Sequence, residues 1–495
     1  MALIGIALSL ALLIAVLGGV WWAWRHPYIG LGLLVAGMAF HSFLLMVLLN
    51  LGTPTSLVRA FQVWKEVLLA VLTMIALAAI WRERKGANRA QMNITDWLAV
   101  AFELLTIVYF LIPGSVLHSG ANFAQRLVGF RIALLIPLLY FLGRRIDPAN
   151  ERDRLTVLWL CVGAGAVVAV LGVIELWFVP TSTWLDWGIN RYTSFLGFTY
   201  HGPRGLPENF FVTLPDGTLL RRMVSTYVSP LGIAYTGILL FPLGVALVEH
   251  HRTDRLARGL AGAALALVLV GVLLSVTRLA VLAILGEAVL LVLLMRRSWL
   301  VALIPVLVLG TILVFYPYAS MGPAVDRNLA AVTRTHWEWV ISGNDTSTTE
   351  HYGYLVQDLK VDFEHPLGLG TGGSTVRYGQ LVGTGESAVL GMFGDLGVIG
   401  GAIYVALYLF AIWNGFRAYW AVRDRPLLAA LPLTAFVGGL ALIPITTTSD
   451  VWGDLSVTFL LWWVAGASAT MAARLASQAP VPALRATTPA KTTAG

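Results

Sequence analysis

Several ionisable residues stand where so apolar a chain should not leave them without reason. Arg278 sits between two apolar runs with almost no loop around it. An arginine placed there is costly unless it finds a partner or snorkels. Arg221 and Arg222 stand side by side where a long polar segment gives way to an apolar run, and Glu386 follows a glycine-rich stretch just before another. Arg59 and Lys65 lie near or inside the start of a third, and Arg191 occupies a segment rich in aromatic residues. A guanidinium grips phosphate oxygens through a planar fork and stays charged, while a carboxylate can take a proton from a hydroxyl. Each residue also has a plainer reading. Arg278 would serve as an interface anchor, and Arg221 and Arg222 as helix flanks. Glu386 would be a carboxylate favoured by a helix N-terminus, and Lys65, beside Glu66, a snorkelling lysine.

The elements that must position these side chains follow from composition. Of 495 residues, 58% are hydrophobic and 12% charged, and the mean hydropathy is +0.79. Soluble domains carry roughly 25% charged residues, so this chain lacks a water-compatible surface. A hydrocarbon core of about 30 Å takes about 20 apolar residues per helix. Runs that meet or approach this cover 3–24, 29–51, 63–81, 97–112, 127–142 and 155–178. Further runs follow at 227–248, 260–276, 279–295, 300–316, 388–413, 427–445 and 455–473. The expectation is an all-α, polytopic transmembrane helix bundle of about 12 to 14 helices, a single membrane domain over 1–473.

Orientation comes from the basic clusters Arg82/Arg84/Lys85/Arg89, Arg144/Arg145/Arg152/Arg154, Arg252/Arg255/Arg258, Arg296/Arg297 and Arg417/Arg423/Arg425. All fall on one side when the helices alternate, which makes that side cytoplasmic. The tail 474–495, rich in Ala, Pro and Thr, is expected there and disordered. Two long segments, 179–225 and 317–386, then face outward, and 352–363 has the pattern of a short amphipathic helix. Loops so long are uncommon unless functional, which puts chemistry at the outer face. The same count leaves the N-terminus outside, unless one of the first helices is miscounted. A cleaved signal peptide is the rival reading of 3–24, although no basic n-region precedes it.

Other chemistries find little support. The +7 charge comes from short clusters between apolar runs, not from a surface for nucleic acid. The histidines show no paired helical ligand spacing, and Asp345, Asp358, Asp362 and Glu364 form no DxD pair, so no metal site is expected. No glycine-rich phosphate loop is present, and no cofactor is expected. The single cysteine, Cys161, lies in an apolar run and allows no disulfide within the chain. Glu103 and Glu287, inside apolar runs, support a rival class: a lipid-linked oligosaccharide or polysaccharide transporter or flippase with a carboxylate relay. The paired broken helices such a transporter would show are not evident in the sequence.

The stretch 350–401, EHYGYLVQDLKVDFEHPLGLGTGGSTVRYGQLVGTGESAVLGMFGDLGVIGG, resembles the signature region of the O-antigen ligase and O-antigen polymerase family of bacterial membrane glycosyltransferases. RRMVSTYVSPLGIAY (221–235) is similar to the segment where that family enters a helix from its large outer loop. LLSVTRLAVLAILGEAVLL (273–291) is similar to its short outer turn carrying an arginine. The blocks keep the family's order and cover the second half of the chain. The resemblance implies a GT-C-like bundle in the bacterial inner membrane, multi-pass, with its active site facing the periplasm or the outside. It implies a polyprenyl-diphosphate-linked glycan as donor, a glycan or lipid as acceptor, and a chain-length regulator protein as a further partner beside the bilayer. In that scheme Arg278 and Arg222 are catalytic cations for the diphosphate, taking the place of a metal, and Glu386 is the base or orienter of the acceptor hydroxyl. Arg221, Arg191, Lys65 and Arg59 are its substrate-binding residues. Arg191, with Gly202 eleven positions later, resembles an arginine–glycine pattern in the outer loops of some polymerases. Ligases of the family carry histidine where this chain has Glu386, whereas glutamate there is familiar among polymerase-like members; polymerase and ligase both stay open.

Overall fold

The computed structural model describes residues 2–83, 92–197, 205–213, 219–315, 346–374 and 386–478. Its first half runs α1 (Ala2–Arg25), α2 (Pro27–Asn50), α3 (Thr55–Gln62), α4 (Trp64–Glu83), α5 (Ile94–Leu111), α6 (Phe123–Arg145) and α7 (Glu151–Phe178). Two short helices, α8 (Thr183–Asp186) and α9 (Ile189–Leu196), precede an antiparallel hairpin of β1 (Phe211–Thr213) and β2 (Leu219–Arg221). Then come α10 (Pro230–His250), α11 (Arg255–Leu274), α12 (Arg278–Met295), α13 (Ser298–Phe315) and α14 (Thr346–Glu364). The chain closes with α15 (Ala388–Val422), α16 (Pro426–Leu433), a π-helical turn (Thr434–Gly438), α17 (Gly439–Thr448) and α18 (Leu455–Gln478).

Among the described residues, 12 helices are long and apolar enough to cross a membrane, and α13 adds a shorter apolar stretch, Ser298–Leu313. The chain is therefore a multi-pass, all-α membrane bundle, and the hairpin is a minor part of the described residues. Helix starts are marked by side chains that take up the free amide groups of the first turn. Asn93 and Asn122 form reciprocal capping boxes with Asp96 and Gln125. With no hydrophobic drive between helices inside lipid, close approach depends on small residues. The α6–α18 contact shows this, because a Cβ on Gly466 would stand 1.9 Å from the Tyr140 carbonyl oxygen. At the centre, α10 is buried almost along its whole length.

Three expectations need correction. Segment 179–225 is not a plain loop: α8, α9 and the hairpin pack Trp184, Ile189 and Phe210 against Leu45 and Phe61 in a small apolar core of their own. The break in apolar periodicity hid it, because its helices are too short to show a pattern. The helix expected at 352–363 extends over Thr346–Glu364. The last helix runs to Gln478 and so passes the expected boundary at 473, where Arg474 pairs with Asp147 at 2.5 Å; residues 479–495 lie outside the described residues.

The two ends of the bundle differ. Arg252, Arg296, Arg297 and Arg423 line one recess, while Arg144 bonds Thr470 on α18. The basic clusters from four inter-helix connections therefore share an end, as alternating spans require. Arg84, Lys85 and Arg89 lie outside the described residues. The opposite end carries the α8–α9–hairpin unit, α14 and the turn that begins α12.

Candidate functional site

At that opposite end the chain after β2 is pinned to the turn before α12, where the Met223 amide donates to the Leu274 carbonyl at 3.0 Å. This brings Arg222 onto the turn. Its Nε donates to the Ser275 carbonyl at 2.8 Å, one Nη to the Thr277 hydroxyl at 2.7 Å, and the other to the Asn209 carbonyl at 3.3 Å. Every one of these acceptors is neutral. Arg222 is buried, and burial, more than the neighbouring Arg278 cation, lowers its guanidinium to about 10, so it stays charged at neutral pH. Arg278 opens α12 directly after Thr277, half-buried.

The backbone around these two arginines is strained. Ser225, Val228 and Val276 have φ of 49°, 56° and 51°. A β-branched residue in the left-handed region is a genuine outlier, and such strain persists only where surrounding structure enforces it. Val276 lies in the turn that presents Arg278; Ser225 and Val228 lie between Arg222 and α10.

Tyr235, one turn into α10, is the hub. Its hydroxyl donates to Ser449 Oγ at 3.1 Å, and it lies within electrostatic reach of Arg222, Glu386 and Asp454. Ser449 belongs to the connection after α17, and its carbonyl accepts the Ala388 amide at 3.1 Å, which seats the start of α15 there. Asp454 is raised to about 7, first by burial and then by Asp450.

Glu386 stands just before α15. The cap of that helix is Ser387, whose hydroxyl accepts the Leu390 amide at 3.1 Å. Ser387, not Glu386, is therefore the residue that caps the helix. Its carboxylate lies 3.0 Å from His351 Nδ1 on α14, and both side chains are partly exposed. About two and three turns further along the same face of α14 come Asp358, which accepts the Ser387 amide at 3.3 Å, and Asp362. Burial, with help from Glu386, raises Asp358 to about 6; burial, Asp358 and Asp395 raise Asp362 to about 7.

The glycine-rich turn 365–374 braces this arrangement. α15 is broken at Gly397, which has φ 68° and ψ −179°. Asp395 accepts the amides of Gly372 at 2.7 Å and Ser374 at 2.9 Å, and the Pro366 carbonyl takes the Val398 amide at 3.0 Å across the break. A Cβ on Gly372, at φ 72°, would meet the Gln125 carbonyl at 2.4 Å, so backbone packs on backbone. This broken helix was not expected from the sequence; the run FGDLGVIGG was its signal.

The remaining candidates sit apart from this cluster or are already engaged. Arg221 forms a buried ion pair with Glu175 and donates to the Val179 carbonyl at 2.9 Å. Glu175 also takes the Trp184 indole at 3.1 Å, so this pair ties the α8–α9 unit to α7. Lys65 does not snorkel: it is buried, donates to the Gln62 carbonyl at 2.7 Å, and lies 3.3 Å from His41 Nε2. Arg59 stacks over Phe195 of α9 at 6.0 Å, and Arg191, on α9 itself, reaches the Asn50 carbonyl at 3.3 Å. Gly202 lies outside the described residues. Arg222 and Glu386 are thus the candidates within electrostatic reach of Tyr235, and Arg278 stands beside Arg222. Reading the sequence missed Tyr235, His351, Ser449 and Asp454, of which Tyr235 and His351 fall in quoted motifs. Among the described residues no three His, Cys, Asp or Glu side chains are placed to hold a metal ion. No protein-family model and no curated protein matches the chain.

Proposed function

We propose that the chain is a membrane glycosyltransferase that polymerises or ligates polyprenyl-diphosphate-linked oligosaccharides at the outer face of the bacterial inner membrane. The observation that carries this reading is a buried arginine, Arg222, held only by neutral oxygens next to a second cation, Arg278, with Glu386 across Tyr235. Two adjacent cations with no carboxylate among Arg222's partners form a site that an anionic ligand would complete. A diphosphate leaving group fits that description, and the guanidinium fork matches its oxygens.

In the transfer step an acceptor hydroxyl oxygen bonds to the anomeric carbon of the donor sugar. The bond from that carbon to the phosphate oxygen breaks, and the lipid diphosphate leaves with the electron pair. Arg222 and Arg278 stabilise the charge growing on the leaving oxygen. Glu386 takes the hydroxyl proton, and His351 at 3.0 Å orients the carboxylate. The test is incubation of purified protein with a polyprenyl-diphosphate glycan. Serial lengthening marks a polymerase, a single transfer to a second acceptor marks a ligase, and neither product in a folded preparation removes the reading.

A transporter remains the second reading on one observation. Glu287 is fully buried in α12 with both carboxylate oxygens unpartnered among the described residues, 3.7 Å from a Cβ position on Gly438 in the π-helical turn. Such turns often mark functional positions. Glycan uptake into vesicles that stops in Glu287→Gln, with no transfer product, would favour it.

A further inference from the structure

Helix α14 has three faces. His351, Asp358 and Asp362 turn toward α15 and the site, as their bonds and neighbours show. Gly353, Gln357, Lys360 and Glu364 form an exposed polar face. Between them runs an apolar stripe at helical spacing: Tyr352, Val356, Leu359 and Phe363, which are 69%, 49%, 44% and 83% exposed. A helix fully surrounded by water has no use for such a stripe, and one buried in protein would not leave it open.

The depth of the helix follows from its anchors. Beyond its C-terminal end, Leu367 accepts the Tyr109 hydroxyl at 2.5 Å, near the end of the α5 span. Tyr109 is about 22 Å along α5 from Ile94, at 1.5 Å per residue, so this anchor stands near the edge of a hydrocarbon core about 30 Å thick. Further up α14, Asp358 holds Ser387, whose hydroxyl donates to the Thr446 carbonyl at 3.3 Å in the last turn of α17. Both anchors are at span ends on the same side of the bundle. Leu367 itself is 74% exposed and extends the stripe onto Val398 and Ile399 of α15, 53% and 70% exposed on a spanning helix. The stripe is thus continuous with the surface that lipid already covers.

We infer that α14 is an interfacial helix, lying along the membrane surface with Tyr352, Val356, Leu359 and Phe363 sunk among the acyl chains of that leaflet. Its polar face meets water, and its third face carries the site's acids at headgroup depth. The inference does not rest on the transfer reaction; where that reaction holds, it sets the acids level with a lipid-borne diphosphate.

The test uses the full-length protein in lipid nanodiscs with single nitroxide labels. Val356→Cys, Leu359→Cys and Phe363→Cys probe the stripe, and Gln357→Cys, Lys360→Cys and Glu364→Cys the polar face. All six positions are exposed, so the substitutions spare the packing, and the native Cys161 is buried. Collisions with oxygen, which partitions into lipid, and with a water-soluble nickel chelate give each label's environment. Stripe labels should meet oxygen and be shielded from the chelate, with the reverse on the polar face. Chelate access on both faces overturns the inference. Stripe labels shielded from both reagents overturn it too, because protein, such as residues 316–345 or a partner, would then cover the stripe.

Discussion

The two ends of the bundle treat buried charge in opposite ways. At the basic end, opposite charges close on each other. Asp96 takes Arg144 and the Tyr140 hydroxyl, the latter at 2.7 Å, and Glu249 takes Arg297 at 2.9 Å and the Trp299 indole at 2.7 Å. At the other end like charges share space: Arg222 with Arg278, Asp362 with Asp358 and Asp395, Asp454 with Asp450. Arg221 there does close on an acid, and its work is structural. Pairing of the first kind holds helices in place, whereas crowding of the second kind costs stability and is characteristic of sites. The contrast reaches its sharpest form in two adjacent residues, because Arg221 and Arg222 leave the same strand end toward different partners.

Removing the two adjacent cations should have the largest effect. Arg278→Ala and Arg222→Ala are each expected to lower glycan transfer by about 10³-fold, the upper end for a lost transition-state donor. Arg278→Lys should restore little, since an ammonium lacks the bidentate fork. Transfer in the unaltered protein should survive EDTA. Full activity in either alanine variant, or a strict need for an added divalent ion, would remove the arginines from the mechanism.

Next comes Glu386→Gln, which keeps shape and hydrogen-bonding reach but removes the proton-accepting charge. Turnover should fall about 10²–10⁴-fold with donor binding nearly intact. Because Ser387 is the helix cap, the thermal midpoint should hardly move. A turnover within a few-fold of the unaltered protein would send the search for the base to Asp454, whose carboxyl titrates at about 7.

The paired charges should respond in stability instead. Arg221→Ala strands Glu175, and Asp96→Ala strands Arg144; each is expected to cost about 3–5 kcal/mol, the usual loss when one member of a buried pair is removed. Specific activity of the remaining folded fraction of Asp96→Ala should be unchanged. An Arg221→Ala protein that melts normally but binds no donor would show that the neighbours share one role.

How far these distinctions could be read beforehand depends on their range. Spans are local in sequence, so every apolar run expected from composition reappears as a helix. The assignment of Arg221 to a strut depends on Glu175, 46 positions away, and nothing near Arg221 announces it. Tyr235 looked like one more apolar residue of a span, because its importance comes from Ser449, 214 positions later. The break at Gly397 was visible only as excess glycine; its cause is the turn 365–374 laid across it. The cap at Ser387 was legible, since serine ahead of an apolar run is a helix start, yet Glu386 drew the attention.

The smallest effect concerns how tightly α14 holds α15, and it should depend on pH. Asp358 at about 6 and Asp362 at about 7 both titrate above the ordinary aspartate value of about 3.9. The folded state therefore binds protons that the unfolded state has already lost. By linkage the associated stability is full below about pH 4 and is lost as pH rises to about 7, above which it stays level. The charged groups facing Asp362 are Asp358 from its own helix and Asp395 from α15; Glu386 faces Asp358, with His351 beside it. Asp362 is partly open to solvent, so screening keeps its share of the effect modest. Amide exchange across 351–364, corrected for intrinsic rates, should be slower at pH 5 than at pH 8. Asp362→Asn should flatten that difference, since an amide carries no charge at either pH. Protection that rises with pH in the unaltered protein would mean that these acids are held by cations, and that the contrast between the two ends is wrong at this point.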